Sequence, residues 1–463
     1  MRSGSGTATV PTIAAAAPEE TNPLACVVAP GSAGQATPVT AAPPETALAS
    51  VRLSGTHYEI GKQHAGSQGD QIKHILQRYA NLLPAELEQM RELQEALAKR
   101  DVFFTAAGLE ELQGVADELR HPVEHLIGYN LGLYPPRLGG CAQFAISARA
   151  NGHVGMIHGV NEDSPLSLTL PGCLTRLVQV RHPDGAIPHI IFSASGQLGG
   201  LNGINAQGLA VTSTMLLDRR TSPSAHPGRI NPVLVKTILE LAQNIEQALE
   251  IVQAAPKVGA WSLCLSHHPT DRLCYLEYDG NAVQFQDVHE GIETTNHSVL
   301  HAPTQAVPAH SLHRLNRLRD LLGTNGRNPY TVAKAQEALR DRYDLRRKRA
   351  TPHPTMNTIR RLDNQMSLVM HPARGEAWVT PGPIINGKAD HYGKLNLVDL
   401  LGVPAPTPRR LPPERSYSSA ARDSHLEDRG DGRTMSRFVL RMVDRPRERN
   451  TVGTLRLHGA ALI

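Results

Sequence analysis

The sequence predicts an α+β layered domain, and three observations carry that reading. Up to about residue 128, apolar residues recur at three- and four-residue spacing, the pattern of amphipathic helices. After Cys141 the spacing drops to two, the pattern of half-buried strands. The strands then come in runs, parted by one long helix, rather than alternating with helices, which favours stacked layers over a parallel βαβ array.

Residues 1–50, rich in Ala, Pro, Thr, Ser and Gly and without periodicity, read as a disordered leader. Order begins at "VRLSGTHYEIGKQHAG". Over 71–99, Ile, Leu, Tyr and Met fall on one helical face, and Pro84 breaks it into helix, turn, helix. Leu109, Leu112, Val115, Leu119, Val123 and Leu126 predict a further helix over 108–128. Strands follow at "FAISA", "HVGMIHGV", "LTRLVQVRH", "PHIIFSASG" and "LAVTSTML". Asn231 as N-cap and Pro232 at the first helical position open a helix through "VLVKTILELAQNIEQALEIVQ". "WSLCLSH", "RLCYLEYD" and "AVQFQDV" are strands, with Asp279-Gly280 as the hairpin turn between the last two. Helices at 311–322 and 331–342 and strands "QMSLVMHP" and "EAWVTPG" close the ordered part, which ends near residue 403. Residues 404–463, rich in Pro and Arg, read as a flexible tail.

Composition narrows the function classes. With 40% hydrophobic and 19% charged residues, the 463-residue chain is ordinary for a soluble globular protein. A net charge of +4 is too mild to argue for a nucleic-acid partner, so the basic stretch "RYDLRRKRA" reads as a solvated face. No run approaches the roughly 18 apolar residues of a membrane span, and "TVPTIAAAAPEE" is too short and broken for a secretory signal, so the expected compartment is the cytoplasm. The five cysteines, Cys26, Cys141, Cys173, Cys264 and Cys274, show no CxxC spacing and predict neither a disulfide framework nor a cysteine zinc site. Cys173, Cys264 and Cys274 fit buried apolar positions. The 22 histidines include no HExxH, and adjacent His267 and His268 would face opposite sides of a strand, so no metal is expected. Ser195 in "FSASGQ" lacks the spacing of a nucleophile elbow, and "GGLNGINAQG" matches no phosphate-binding loop and reads as a tight turn.

Cys141 stands apart because of its flanks. Gly139 and Gly140 permit backbone geometry that other residues resist. A strained peptide bond before a cysteine suits an N-to-S acyl shift, and hydrolysis of the resulting thioester would leave Cys141 as a new N-terminus. Such a residue carries its own base: an α-amine with a pKa of about 7.7–8.0 beside a thiol of about 8.5. It then needs a carboxylate to hold the amine and neutral donors for the oxyanion.

Several separated motifs match a known family in order. "SGTHYEIGKQHAG", "LEELQGVADE", "GGC" followed by "GVNEDSP", "GGLNGINAQGLAVTSTML", "TTNHSVL", "SLHRLNRLRDLL" and "QMSLVMHPARGEAWVTPGPI" span about 51–400. In them the chain resembles the isopenicillin N acyltransferase-like family: the autoproteolytic acyl-coenzyme A:6-aminopenicillanic acid acyltransferases and related amidohydrolases, which are N-terminal nucleophile hydrolases. The resemblance implies a cut between Gly140 and Cys141, a helical pro-segment over 51–140, and a four-layered αββα catalytic domain over 141–403. It implies that Asp163 orients the freed amine with Asn161 beside it, and that Asn296 helps form the oxyanion hole. The implied substrate is a small-molecule amide or acyl thioester, with no cofactor, although a coenzyme A thioester is a possible donor. The implied active form is a heterodimer of the chain's own two fragments. Three departures bear on specificity. Val160 stands where the bile-salt hydrolase branch has arginine, which argues against bile salts; Glu162 replaces the aromatic of the acyltransferase's Asn-Trp-Asp; and "TMNTIRR", with Asn357 and Thr358, matches the family's Ser-containing segment only loosely. The alternative from another class is a non-catalytic binding protein on the same fold, using its basic tail.

Overall fold

The structure, a computed structural model, describes residues 48–82, 98–132, 140–151, 155–163, 176–219, 227–323, 330–382 and 391–403. Nearly all of the expected leader, the tail, Cys26, Cys173 and Gly139 lie outside the described residues. The chain enters earlier than expected, as a strand, β1 (Ala49–Gly55). Helix α1 (His57–Leu82) follows, then a short α2 (Arg100–Phe103). The single helix expected over 108–128 is two, α3 (Ala106–Leu119) and α4 (Val123–Gly132). Arg120 is in the left-handed region at φ 53° and Pro122 follows, so the first helix stops there.

The strands after Cys141 are β2 (Ala142–Ile146), β3 (Ile157–Asp163), β4 (Arg176–Pro183), β5 (His189–Ala194), β6 (Asn202–Asn205) and β7 (Leu209–Met215). The glycine-rich stretch expected to be only a turn thus contains strand β6, and it forms a hairpin with β7. The long helix is also two pieces, α5 (Asn231–Leu241) and α6 (Ile245–Ala254), because Asn244 caps the second through Gln247 N. Asn231 is not the N-cap; Ile230 holds that position, and the Asn231 side chain is drawn inward to Ser213 Oγ and Tyr278 Oη.

Then come β8 (Trp261–His267), β9 (Arg272–Tyr278), β10 (Val283–Asp287) and β11 (Gly291–Thr294). The expected Asp279-Gly280 hairpin joins β9 to β10, with Asp279 Oδ1 accepting from Asn281 N and Ala282 N. Helices α7 (Ala309–Leu322) and α8 (Val332–Arg340), a small hairpin of β12 (Tyr343–Asp344) and β13 (Arg349–Ala350), strands β14 (Asn364–His371), β15 (Glu376–Pro381) and β16 (Gly393–Asn396), and helix α9 (Leu397–Leu401) complete the described chain.

Among the described residues, and beside the β12-β13 hairpin, two large sheets form, in the orders β1-β4-β5-β6-β7-β8-β9-β10 and β11-β2-β3-β14-β15-β16. Residue alternation sorts their faces. Val160 of β3 joins Val178, Ile190, Phe192, Leu368 and Val379 between the sheets. On the outer face of the smaller sheet, Phe144, Ile157 and Val369 pack on Leu318 and Leu322 of α7 and Leu339 of α8. On the outer face of the larger sheet, Val211, Leu263 and Leu276 pack on Leu234, Ile238 and Leu249 of α5 and α6. The layering is αββα. The segment before Cys141 is not only helical: β1 pairs in parallel with β4 at the edge of the larger sheet. Its helices share a core with Leu198, Ile230 and Val233.

Candidate active site

Cys141 lies one residue before β2 and is 4% exposed. Strands β2 and β3 run antiparallel, Ala142 opposite Asn161, so the polar cluster Asn161-Glu162-Asp163 is strand rather than turn and ends beside Cys141. The Cys141 thiol donates to the Asp163 main-chain oxygen at 3.8 Å. Burial, with the Asp163 carboxylate adding to it, pushes the thiol up to about 12, while Arg314 pulls the other way.

Gly140 owes its identity to a close approach. A Cβ there would lie 1.8 Å from Arg361 Nη1, so the guanidinium leaves space for hydrogen only. Its φ is not in the left-handed region, unlike that of Gly155 or Gly196. Arg361 is tied to Asp363 by Nε at 2.8 Å and Nη2 at 2.5 Å, while its Nη1 makes no hydrogen bond.

Asp163 is buried at the end of β3. Its Oδ1 accepts from Asn364 Nδ2 at 2.8 Å. Its Oδ2 stands 3.7 Å from Arg361 Nε and has no hydrogen-bond partner. Burial raises this carboxyl to about 7; Arg361 and Arg314 oppose the rise and Asp363 reinforces it.

The other expected residues are placed as follows. Asn161 shares a strand face with Asp163, but its amide is engaged: Nδ2 donates to Leu339 O and Ile359 O, both at 2.9 Å, and Oδ1 accepts from Ser367 Oγ at 2.5 Å. That binds β3 to α8 and β14. Asn296, two residues after β11, donates from Nδ2 to Met215 O at 2.9 Å and accepts at Oδ1 from Arg314 Nη2 at 2.6 Å. Glu162 faces the space between the sheets and accepts from Asn202 Nδ2 at 3.2 Å. Asn357 and Thr358 fold into their own turn, with Thr358 Oγ1 donating to Arg360 O at 2.7 Å.

Arg314 and Arg361 were missed in the sequence. Arg314 is buried on α7 in line with Ser311, Leu315, Leu318 and Leu322. It reaches Gly140 O through Nη1, Cys141 O at 2.6 Å, and His310 O at 3.2 Å. An arginine within an amphipathic helix's apolar stripe was the available signal, because an unpaired buried guanidinium is costly. The paired Arg360-Arg361 just before a strand was the other.

Together these groups set a thiol, a carboxyl and two guanidinium groups around one peptide bond, Gly140–Cys141, suited to acyl transfer through sulfur. Among the described residues, no group of three or more His, Cys, Asp or Glu is placed to hold a metal ion. No helix among them is long and apolar enough to cross a membrane.

The chain is similar to an N-acylethanolamine-hydrolyzing acid amidase ortholog from Caenorhabditis elegans, at 14% identity over 50% of this chain and 93% of that one, with a TM-score of 0.37. It is also similar to a mutant conjugated bile acid hydrolase from Clostridium perfringens, at 9% identity over 57% of this chain and 95% of that one, with a TM-score of 0.36. Comparison with curated proteins finds no match. The family model described as acyl-coenzyme A:6-aminopenicillanic acid acyl-transferase matches residues 148–380, which begin just after Cys141 and include Asp163, Asn296, Arg314 and Arg361. That match covers half of the chain and establishes that the chain belongs to the acyl-coenzyme A:6-aminopenicillanic acid acyl-transferase family, enzymes that act on acyl groups.

Proposed function

We propose that the chain is a precursor that cuts its own Gly140–Cys141 bond and then works as a cysteine amidohydrolase or acyltransferase on a small-molecule amide or acyl thioester. The observation that carries this reading is the Asp163 carboxyl, which is buried beside Cys141 with one oxygen lacking any hydrogen-bond partner. An α-ammonium freed at Cys141 is the donor that such an oxygen lacks.

In the mature form the α-amine takes the thiol proton, the thiolate attacks the acyl carbonyl, and the ammonium returns a proton to the leaving amine. Asp163 holds the amine. Backbone amides and Asn296 receive the oxyanion, with the Asn296 amide oriented by Arg314 at its oxygen. Water or an acceptor amine then releases the acyl group. A coenzyme A thioester fits this chemistry as donor, and the cytoplasm as its setting. Val160, standing where the bile-salt hydrolase branch has arginine, argues against bile salts.

An intact mass spectrum of the purified protein tests the reading. The expected result is two fragments, one ending at Gly140 and one beginning with Cys141, with Cys141→Ala remaining a single chain. The mature protein should hold a labelled acyl group on Cys141 when given an acyl amide or thioester, and an added amine should accelerate its release if transfer is the reaction. A wild-type chain that stays whole would overturn the proposal.

A further inference from the structure

The buried guanidinium of Arg314 has no task in the hydrolysis scheme beyond orienting Asn296, yet it touches the one carbonyl that self-cleavage must attack. Its Nη1 donates both to Gly140 O and, at 2.6 Å, to Cys141 O. The remaining donors fix its place: Nη2 binds Asn296 Oδ1 at 2.6 Å and Nε binds His310 O at 3.2 Å. The side chain is fully buried, so water does not screen its charge. We infer that Arg314 is a catalytic residue of the self-cleavage, supplying the oxyanion site for attack of Cys141 on Gly140; this rests on the cleavage reading above.

The step balances. Sγ bonds to the Gly140 carbonyl carbon, closing a five-membered ring, and negative charge develops on Gly140 O against the guanidinium. The carbon–nitrogen bond then breaks, the thiol proton passes to the departing nitrogen, and a thioester joins Gly140 to Cys141 Sγ. Water cleaves the thioester, leaving a carboxylate on Gly140 and restoring the thiol. A guanidinium already in place needs no reorganisation as the charge appears, which is what makes such donors effective. It also favours the thiolate that attacks, because its charge opposes the rise of the thiol's pKa. Burial and the neighbouring Arg361 lower Arg314 itself to about 9, which leaves it charged at neutral pH.

Arg361 is not an equivalent candidate. Its Nη1 borders the Gly140 Cα without a hydrogen bond, and its other donors are committed to Asp363.

The test follows cleavage in time after a synthesis pulse, by gel and mass, in wild type, Arg314→Gln and Arg314→Lys, with thermal unfolding of each chain. Removing one oxyanion donor slows reactions of this kind about a hundredfold or more, and that slowing is expected for R314Q. R314K keeps the charge but has no planar fork to span two carbonyls, so a rate between the two, about tenfold below wild type, is expected. A folded R314Q chain that cuts within twofold of wild type overturns the inference and leaves the cleavage reading standing. If R314Q does not fold, R314K decides: slowed cutting with unaltered melting supports the role, and cutting at the wild-type rate overturns it. A wild-type chain that never cuts overturns both.

Discussion

At the scale of the residue, Asp163 carries the most informative titration. Its carboxyl is raised in the folded chain from an ordinary 3.8 to about 7, first by burial. A group raised on folding contributes stability that is complete below its unfolded pKa and is lost as pH rises through its folded one. The uncut chain should therefore lose stability between about pH 4 and 7 on account of this residue. Asp163→Asn in an uncut Cys141→Ala background removes that loss. Relative to its parent, the Asn variant should gain stability from pH 5 to pH 8, which urea unfolding at the two pH values measures. Equal differences at both would remove the premise that the carboxyl is poorly solvated, with Oδ2 lacking a hydrogen-bond donor, in the uncut chain. The buried histidines His64 and His158, held near 4 and 3 by burial, act with the opposite sign, so only the difference between variant and parent isolates Asp163. Gly140 is a residue of the same neighbourhood. Any Cβ there meets Arg361, and Gly140→Ala should displace the guanidinium that Asp163 faces.

At the scale of the element, the crossing of α1 over α3 depends on two glycines. A Cβ on Gly61 would come within 2.0 Å of Glu111 O, and one on Gly114 within 2.1 Å of Tyr58 O. These are backbone contacts, so no rotamer change relieves them and the helices must separate. Gly61→Ala should destabilise the uncut precursor by about 1–3 kcal/mol, the usual range for overpacking. Gly66→Ala on the same helix has nothing within 4 Å of the added carbon. It should instead be neutral or stabilising by about 0.5–1 kcal/mol, since glycine is a poor helix former. Chemical denaturation of both variants checks the contrast.

The same elements show what sequence made legible. Period-two strands such as Trp261–His267, and the Asp279-Gly280 hairpin, were readable because each is set by local alternation and turn chemistry. Strands β1, β11 and β16 were not read as strands: β11 and β16 have four residues each, and β1 runs parallel to a partner more than a hundred residues away. The helix breaks at Arg120 and at Asn244 depend on a left-handed residue and a side-chain cap, which an apolar stripe running through both sites conceals. In the candidate site, the placing of Asp163 beside Cys141 was legible through the family resemblance. Arg314 and Arg361 were not read: an arginine in an apolar stripe signals burial, but what it pairs with emerges only when the helix and strand around it are packed.

At the scale of the whole molecule, the segment before Cys141 is built into the fold rather than laid on it. It supplies the edge strand β1, and its helices share a core with residues of the later chain, among them Leu198 and Val233. It also supplies Glu111 and His57 to a buried ion cluster. Glu111 of α3 meets Arg181 of β4, and Lys236 of α5 at 3.4 Å; Lys236 in turn meets Glu240 at 2.7 Å, and Glu240 meets His57 of α1 at 3.3 Å. Burial alone would raise the Glu111 carboxyl, but Arg181 and Lys236 outweigh it and hold it below the ordinary range. Cutting the chain at Gly140 removes none of these contacts. On the proposed cleavage, the two fragments should therefore co-elute on size exclusion, and should still do so in 1 M salt, since buried charge pairs are screened far less than exposed ones. Glu111→Gln leaves Arg181 and Lys236 with less opposing charge in a dry site, and breaking such a pair costs about 3–5 kcal/mol. The variant should melt well below wild type, and its fragments should separate at denaturant concentrations that wild type withstands. Fragments that part in salt alone would show that the ion cluster and the β1–β4 pairing do not hold the cut molecule together.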